Sequence, residues 1–173
     1  MLMENLKEVN LTDVTPEIIN QLTQGGAFLT VALGDKVNTM TVGWATLGRM
    51  WNKPVCVVPV RFSRYTRQLI EKAQSFTLSV PLGGSLKEAL AYCGSKSGRD
   101  VDKYKECGLK QRPGTAVASP AIDGCDIVLE CRIVHKQTLE PLNLAPEIKH
   151  KWYADNDYHI LFYGEVVKVY AKQ

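Results

Sequence analysis

The sequence predicts a mainly β (α+β) fold, a β-barrel with helical insertions, formed as a single domain over residues 1–173. Three observations carry this expectation. Runs with strand composition recur along the chain, with two short hairpins among them. The helical stretches between them are few and short. Strict βα alternation is missing, which argues against a doubly wound sheet. A length of 173 residues fits one domain better than two. Such a domain buries about 70% of its unfolded surface and needs no disulfide staples.

The elements follow in chain order. Thr15-Pro16 is placed to open a short helix, with Thr15 as N-cap, Pro16 at the first helical position and Ile18, Ile19 and Leu22 on its apolar face. Gly25-Gly26 ends it. Ala27 to Leu33 has strand composition. The turn Gly34-Asp35-Lys36 leads to a second strand, Val37 to Thr46, whose Gly43 marks a bulge or a close backbone approach. Asn52-Lys53-Pro54 is a turn. Val55 to Val60 is a continuous apolar run, as in a strand buried on both faces, and Pro59 suggests an edge or bulge near its end. Ser63 is placed to cap a helix running to about Ala73, with Leu69, Ile70 and Ala73 inward. Ser75 to Val80 is a strand. Ser85-Leu86-Lys87-Glu88 has the capping-box pattern for a helix to about Cys93. Gly94 to Arg99 is a loop, and Asp100 caps a further helix through Lys105. From Cys125 the odd positions are apolar, so Cys125, Ile127, Leu129, Cys131 and Ile133 share one inward face. A last strand runs from Tyr158 to Tyr170 and is interrupted at Gly164.

Composition excludes several function classes. The net charge of +3 is too mild to argue for nucleic acid or a membrane surface. No run approaches the roughly 20 apolar residues of a membrane span. Met1 to Glu8 contains acidic residues and no apolar segment, so no secretory signal is expected there. Cys56, Cys93, Cys107, Cys125 and Cys131 are odd in number and form no CxxC. They are expected to be mostly buried thiols in a reducing cytoplasm. His135, His150 and His159 fit no metal pattern, and no P-loop, HExxH, GxSxG or Rossmann GxGxxG is present.

Chemistry concentrates in one segment. Three of the seven arginines fall in Arg61-Phe62-Ser63-Arg64-Tyr65-Thr66-Arg67. The segment turns from a buried strand into a helix start. Guanidinium forks, the hydroxyls of Ser63 and Thr66, and free backbone N–H groups are the parts of a phosphate site. A solvated basic helix face uses the same residues and stays open. Arg61, at the strand end, is the first candidate, whereas Arg64 and Arg67 serve to hold the local potential positive. The loop Ser95-Lys96-Ser97-Gly98 offers further donors, or is a plain connection between helices. His159 opens a strand at a barrel mouth, or is a structural histidine. Trp44 can pack against a planar ligand, while Trp51 and Trp152 belong to core or interface.

Five stretches, taken together, resemble the flavin reductase-like family of FMN-binding split β-barrels, and within it the flavoredoxin-type branch. They are Asn38 to Trp44, Trp51 to Val55, Val60 to Thr66, Ser97 to Lys103 and His159 to Val166, in the family's order. The resemblance implies a homodimer with FMN near the subunit interface. It implies that Met40, Thr41, Val42, Gly43, Trp44 and Ala45 run beside the isoalloxazine. Arg61, Ser63, Tyr65 and Thr66 then take the ribityl-phosphate end, with Ser95, Lys96 and Ser97 closing over it. His159 matches a histidine near where nicotinamide or substrate stacks. The glycine pair that often precedes this histidine is replaced by Asn156-Asp157-Tyr158. The implied activity is that of a flavin reductase-like oxidoreductase, with NADH, NADPH or a redox protein partner as electron donor. The alternatives are a flavoredoxin-type carrier without NAD(P)H activity and a non-catalytic flavin-binding module.

Overall fold

The computed structural model describes residues 6–172. Met1 to Asn5, the start of the segment considered above for a leader, lie outside the described residues. Strand β1 (Leu6–Glu8) precedes helix α1 (Leu11–Gln24), and the hairpins β2–β3 (Ala27–Leu33, Lys36–Val42) and β4–β5 (Thr46–Met50, Lys53–Arg61) follow. Next come α2 (Tyr65–Ile70), β6 (Ser75–Val80), α3 (Lys87–Ser95), α4 (Lys103–Cys107) and the small pair β7–β8 (Gln111–Arg112, Ala121–Ile122). The long strands β9 (Ile127–Thr138) and β10 (His159–Lys172) flank α5 (Pro146–Trp152). The main sheet runs β3-β2-β6-β9-β10-β5-β4, antiparallel at each pairing, with β1 beside β10.

Period-two alternation builds the core. Leu29 and Val31 of β2, Val58 and Val60 of β5, Phe76 and Leu78 of β6, Leu129 of β9 and Phe162 of β10 meet inside, closed by Ile18 and Leu22 of α1. On the outer face of β2, Phe28 packs with Leu90 and Cys93 of α3 and with Ile122 and Cys125. Cys125 therefore does not share a face with Cys131, which lies in the main core. It precedes β9, outside the alternation. Even-numbered Val128 and Glu130 are buried as well, because the loop after β7 covers that face: the Thr115 and Ala116 N–H groups donate to the Glu130 carboxylate. Cys56, Val58 and Val60 are buried, while Val57 and Pro59 are only half-buried, so β5 has one core face rather than two.

Helix starts depart most from expectation. Helix α1 begins at Leu11, and the Asp13 carboxylate accepts from the Asn10 N–H at 3.3 Å. Thr15 is inside the helix, its hydroxyl donating back to Leu11 O, and Pro16 forfeits one helical bond there. Ser63 is not the cap of α2. Arg64 is, and the helix stops at Ile70, short of Ala73. Leu86, in the left-handed region at φ 55°, precedes α3, and the Ser85 hydroxyl turns back to Leu82 O instead of capping. That helix extends through Gly94 and Ser95, residues expected in a loop. Asp102, not Asp100, caps α4 by accepting from the Tyr104 and Lys105 N–H groups. The strand expected over Val37 to Thr46 ends at Val42, and the chain resumes as β4 at Thr46. Pro59 is flanked by β10, but the β4 ladder stops at Val57, so the missing N–H costs no pairing there.

Candidate functional site

Strands β3 and β4 are the two ends of the sheet path, yet only Gly43-Trp44-Ala45 joins them. From Val42 to Thr46 the chain spans about 14 Å at most. The sheet must therefore curl until its ends approach, and no ladder closes the gap. The barrel is split, and a cleft occupies the split.

A cavity of about 300 Å³ lies there, lined by Met40, Thr41, Val42, Gly43, Trp44, Pro59, Arg61, Ser63, Arg64, Trp152 and His159. A chamber of about 130 Å³ adjoins it through shared Met40, Ser63 and Arg64. Tyr65, Thr66, Ser95, Lys96, Ser97, Arg99 and Lys103 complete that chamber. Of the residues that the family resemblance sets beside the ring, at the phosphate end and at His159, all but Ala45 line one of the two spaces. Ala45 borders an apolar groove of about 560 Å³ on the far side of Trp44, with Leu22, Met50, Leu161 and Tyr163.

The edge of β3 supplies main-chain groups. Val42 turns its carbonyl toward Gly26, and Lys103 takes the Thr39 carbonyl at 2.9 Å. By alternation, Thr39 and Thr41 turn their peptide groups to the unpaired edge. The Thr41 hydroxyl is committed elsewhere, donating to Leu90 O at 2.6 Å.

The arginines divide their work differently from the expectation. Arg61 donates to Asp157 O at 2.5 Å and to Trp152 O at 2.9 Å, and its guanidinium lies 5.2 Å from the Tyr153 ring centre. Much of its capacity goes to holding the loop after α5. Asp157 in turn accepts from both the N–H and the hydroxyl of Ser63. Arg64 borders both spaces and donates to Gly94 O at 2.8 Å. Burial lowers its pKa, while Asp157 partly opposes the shift. Arg99 donates to Ser63 O and lies over Tyr65. Arg67 points away, bonded to Phe62 O and paired with Glu71. Among these, Arg64 and Arg99 are the arginines that face the small chamber, and the Thr66 hydroxyl there accepts from Asn38 at 2.8 Å.

Sequence reasoning missed Lys103. Its side chain is 5% exposed, and its ammonium donates to Thr39 O and Cys93 O at 2.9 Å each. Burial pushes its pKa down, and among the described residues no carboxylate pairs with it. A buried ammonium normally has an anionic partner. Here the chamber beside it holds more cations, Arg64, Lys96 and Arg99. The available signal was weak: Lys103 follows the helix-capping Asp102 and reads as the exposed first turn of a helix.

At the other end, His159 is 6% exposed and opens β10 opposite Arg61. Its Nδ1 is 2.7 Å from the Tyr153 hydroxyl, and its ring centre is 5.3 Å from that of Trp44. Trp152 meets Trp44 edge-on at 5.1 Å, so Trp152 belongs to this cluster. Burial first, then Arg61, lowers the His159 pKa to about 4, against the pull of Asp157. The imidazole is neutral at pH 7. The unfolded chain takes up a proton near pH 6.5. Stability from this group is therefore complete above pH 6.5, is lost as pH falls toward 4, and levels off below. His159→Gln is expected to make urea unfolding free energies less sensitive to pH between 6.5 and 4 than in the parent. Identical acid limbs would show that His159 protonates within the fold.

The flavin reductase like domain matches this chain over residues 19–173. The chain belongs to the flavin reductase-like family. A protein of Archaeoglobus fulgidus is 30% identical over 129 residues, covering 74% of this chain and 72% of its own length. Flavoredoxin from Methanosarcina acetivorans is 30% identical, with a TM-score of 0.65 over 85% of this chain and 68% of that one. The FMN-binding domain of a flavin reductases-like enzyme from Shewanella baltica OS155 shares the fold at 22% identity, with a TM-score of 0.68 over 97% and 78% of the two chains. For this flavin reductase-like chain, the cleft between β3 and β4 is the candidate site.

Proposed function

We propose that this chain binds FMN in the split between β3 and β4 and acts as a flavin reductase-like oxidoreductase. The observation that carries the proposal is Lys103, a buried ammonium with no carboxylate paired to it among the described residues, facing a chamber lined by further cations. Such a chamber fits a phosphate dianion, and the wider cavity joined to it fits a flat ring. Arg64, Lys96, Arg99, Lys103 and the hydroxyl of Ser97 would hold the phosphate, the Ser63 hydroxyl being committed to Asp157. The outward peptide groups of Thr41 would meet the polar edge of the ring, Trp44 would cover it, and His159 would offer a neutral N–H. Bound FMN supplies the redox chemistry, accepting electrons from a donor and passing them on. The residues here bind, orient and exclude water, and none is assigned as general acid or base.

The test is titration with FMN and with riboflavin, followed at 450 nm. FMN is expected to bind about thirtyfold more tightly, the worth of about 2 kcal/mol in charge-assisted bonds. Equal affinities would remove the phosphate assignment. No complex with either compound would sink the flavin reading.

One observation favours a second reading of the electron source. Trp152 is 44% exposed and stands beside Trp44 and His159, where a nicotinamide needs room. An exposed aromatic rim suits a redox protein partner, which makes a flavoredoxin-type carrier the alternative. Stopped-flow mixing with NADH and NADPH separates the two, since a carrier leaves FMN oxidised for minutes with both. We also propose a cytoplasmic homodimer. The apolar groove beside Trp44, with half-exposed Ile19 and Met50, gives it a surface to bury, and no helix among the described residues is long and apolar enough to cross a membrane.

A further inference from the structure

We infer that Tyr153 is a positioning residue that fixes His159 as its neutral Nε2–H tautomer and so turns a hydrogen-bond donor into the cleft. That the donor serves a bound flavin rests on the function proposed above. The tautomer itself does not.

The inference follows from accounting for protons. Tyr153 is 6% exposed, and among the described residues its hydroxyl has one partner, His159 Nδ1 at 2.7 Å. Two arrangements are available. If Nδ1 carried the proton and donated to Tyr153, the phenolic proton would be left without an acceptor in a buried place. That costs about 1–3 kcal/mol. If Tyr153 donates to Nδ1, both protons are placed, and Nε2–H is the polar group His159 presents to the cavity it lines.

The surroundings hold this arrangement. The Tyr153 ring stacks on Tyr158 at 5.0 Å and stands edge-on to His159 at 5.5 Å. The Arg61 guanidinium covers it, held by Trp152 O and Asp157 O and 3.7 Å from the Asp155 carboxylate. Arg61 and Asp157 are the charges felt by the imidazole, and they act in opposite directions. A cation within reach disfavours imidazolium, which keeps His159 a donor of one defined proton. Tyr153 falls at the end of α5, where its side chain reaches back to the first residue of β10. The loop between them, with Asn156 in the left-handed region at φ 60°, makes the turn that brings the two together.

The test uses nitrogen-15 NMR of the imidazole in the flavin-free full chain. The wild-type protein is expected to show a protonated Nε2 and a bare, hydrogen-bonded Nδ1 for His159. A protonated Nδ1 would overturn the inference with no variant involved. Tyr153→Phe keeps the stacked ring and is expected to give a mixture of tautomers. An unchanged Nε2–H state in that variant would also overturn it. FMN is then added. A shift of the His159 Nε2 signal supports its role in the cleft. Binding of FMN without that shift removes the role. Failure of FMN to bind strikes the proposed function and leaves the tautomer result standing.

Discussion

Lys103→Met is expected to weaken FMN binding by about 2–3 kcal/mol, roughly thirty- to 150-fold in Kd, while riboflavin affinity stays the same. The ammonium is buried with no carboxylate partner among the described residues and borders the cationic chamber. In the flavin-free protein the substitution has two opposed effects. Removing an unpaired buried charge is favourable. Leaving Thr39 O and Cys93 O without their donor is not. Urea unfolding of the flavin-free variant should therefore fall within about 1 kcal/mol of the parent. Large loss of FMN affinity with little change in stability is the signature of a phosphate ligand. If FMN and riboflavin affinities fall together, Lys103 serves only to tie β3 to α3.

Gly164→Ala is expected to destabilise the fold by about 2–3 kcal/mol, the cost of overpacking a filled core. A Cβ at this position would lie 2.6 Å from Phe76 Cζ and 2.7 Å from Cys131 Cβ. Backbone escape is limited, because β10 is paired on both sides, with β5 and β9. Its register against β9 also shifts between Tyr163 and Gly164. For a chain of this length the loss corresponds to a fall in Tm of roughly 5–12 °C. Phe76→Leu in the Gly164→Ala background should recover part of it, and strict additivity of the two changes would contradict direct collision.

Strand identity was legible where alternation was strong. Ala27 to Leu33 and Ser75 to Val80 match their observed bounds, and the interruption at Gly164 is the bulge. Helix starts were not legible, because Thr, Ser and Asp compete for local bonds wherever they stand. Ser63 looked like a cap, but Asp157, distant in sequence, takes both its N–H and its hydroxyl. The two-faced burial of β9 was hidden for a similar reason: the carboxylate of Glu130 looks exposed until the Thr115 loop is folded over it. The site shows the same pattern. The segment Arg61 to Thr66 was visible from its charge density. Which arginine faces the chamber was not, since that depends on the loop from Trp152 to Asp157 claiming Arg61. Lys103 was invisible because its ammonium reaches Thr39 O, 64 residues back along the chain, and Tyr153 because the loop after α5 and the covering Arg61 guanidinium are what bring its hydroxyl to His159.

The free edge of β3 has a consequence for handling the protein. A strand with unpaired peptide groups is a template on which another chain can add. Natural sheets guard such edges with charge, proline or a covering element, and on β3 the Lys103 ammonium takes Thr39 O while α3 packs beside Thr41, which leaves the stretch from Met40 to Gly43 facing the cleft. Whatever occupies the cleft covers Met40 to Gly43. Filling the cleft thus also shields the edge, and preparations supplied with FMN should aggregate more slowly than stripped ones at equal folded stability.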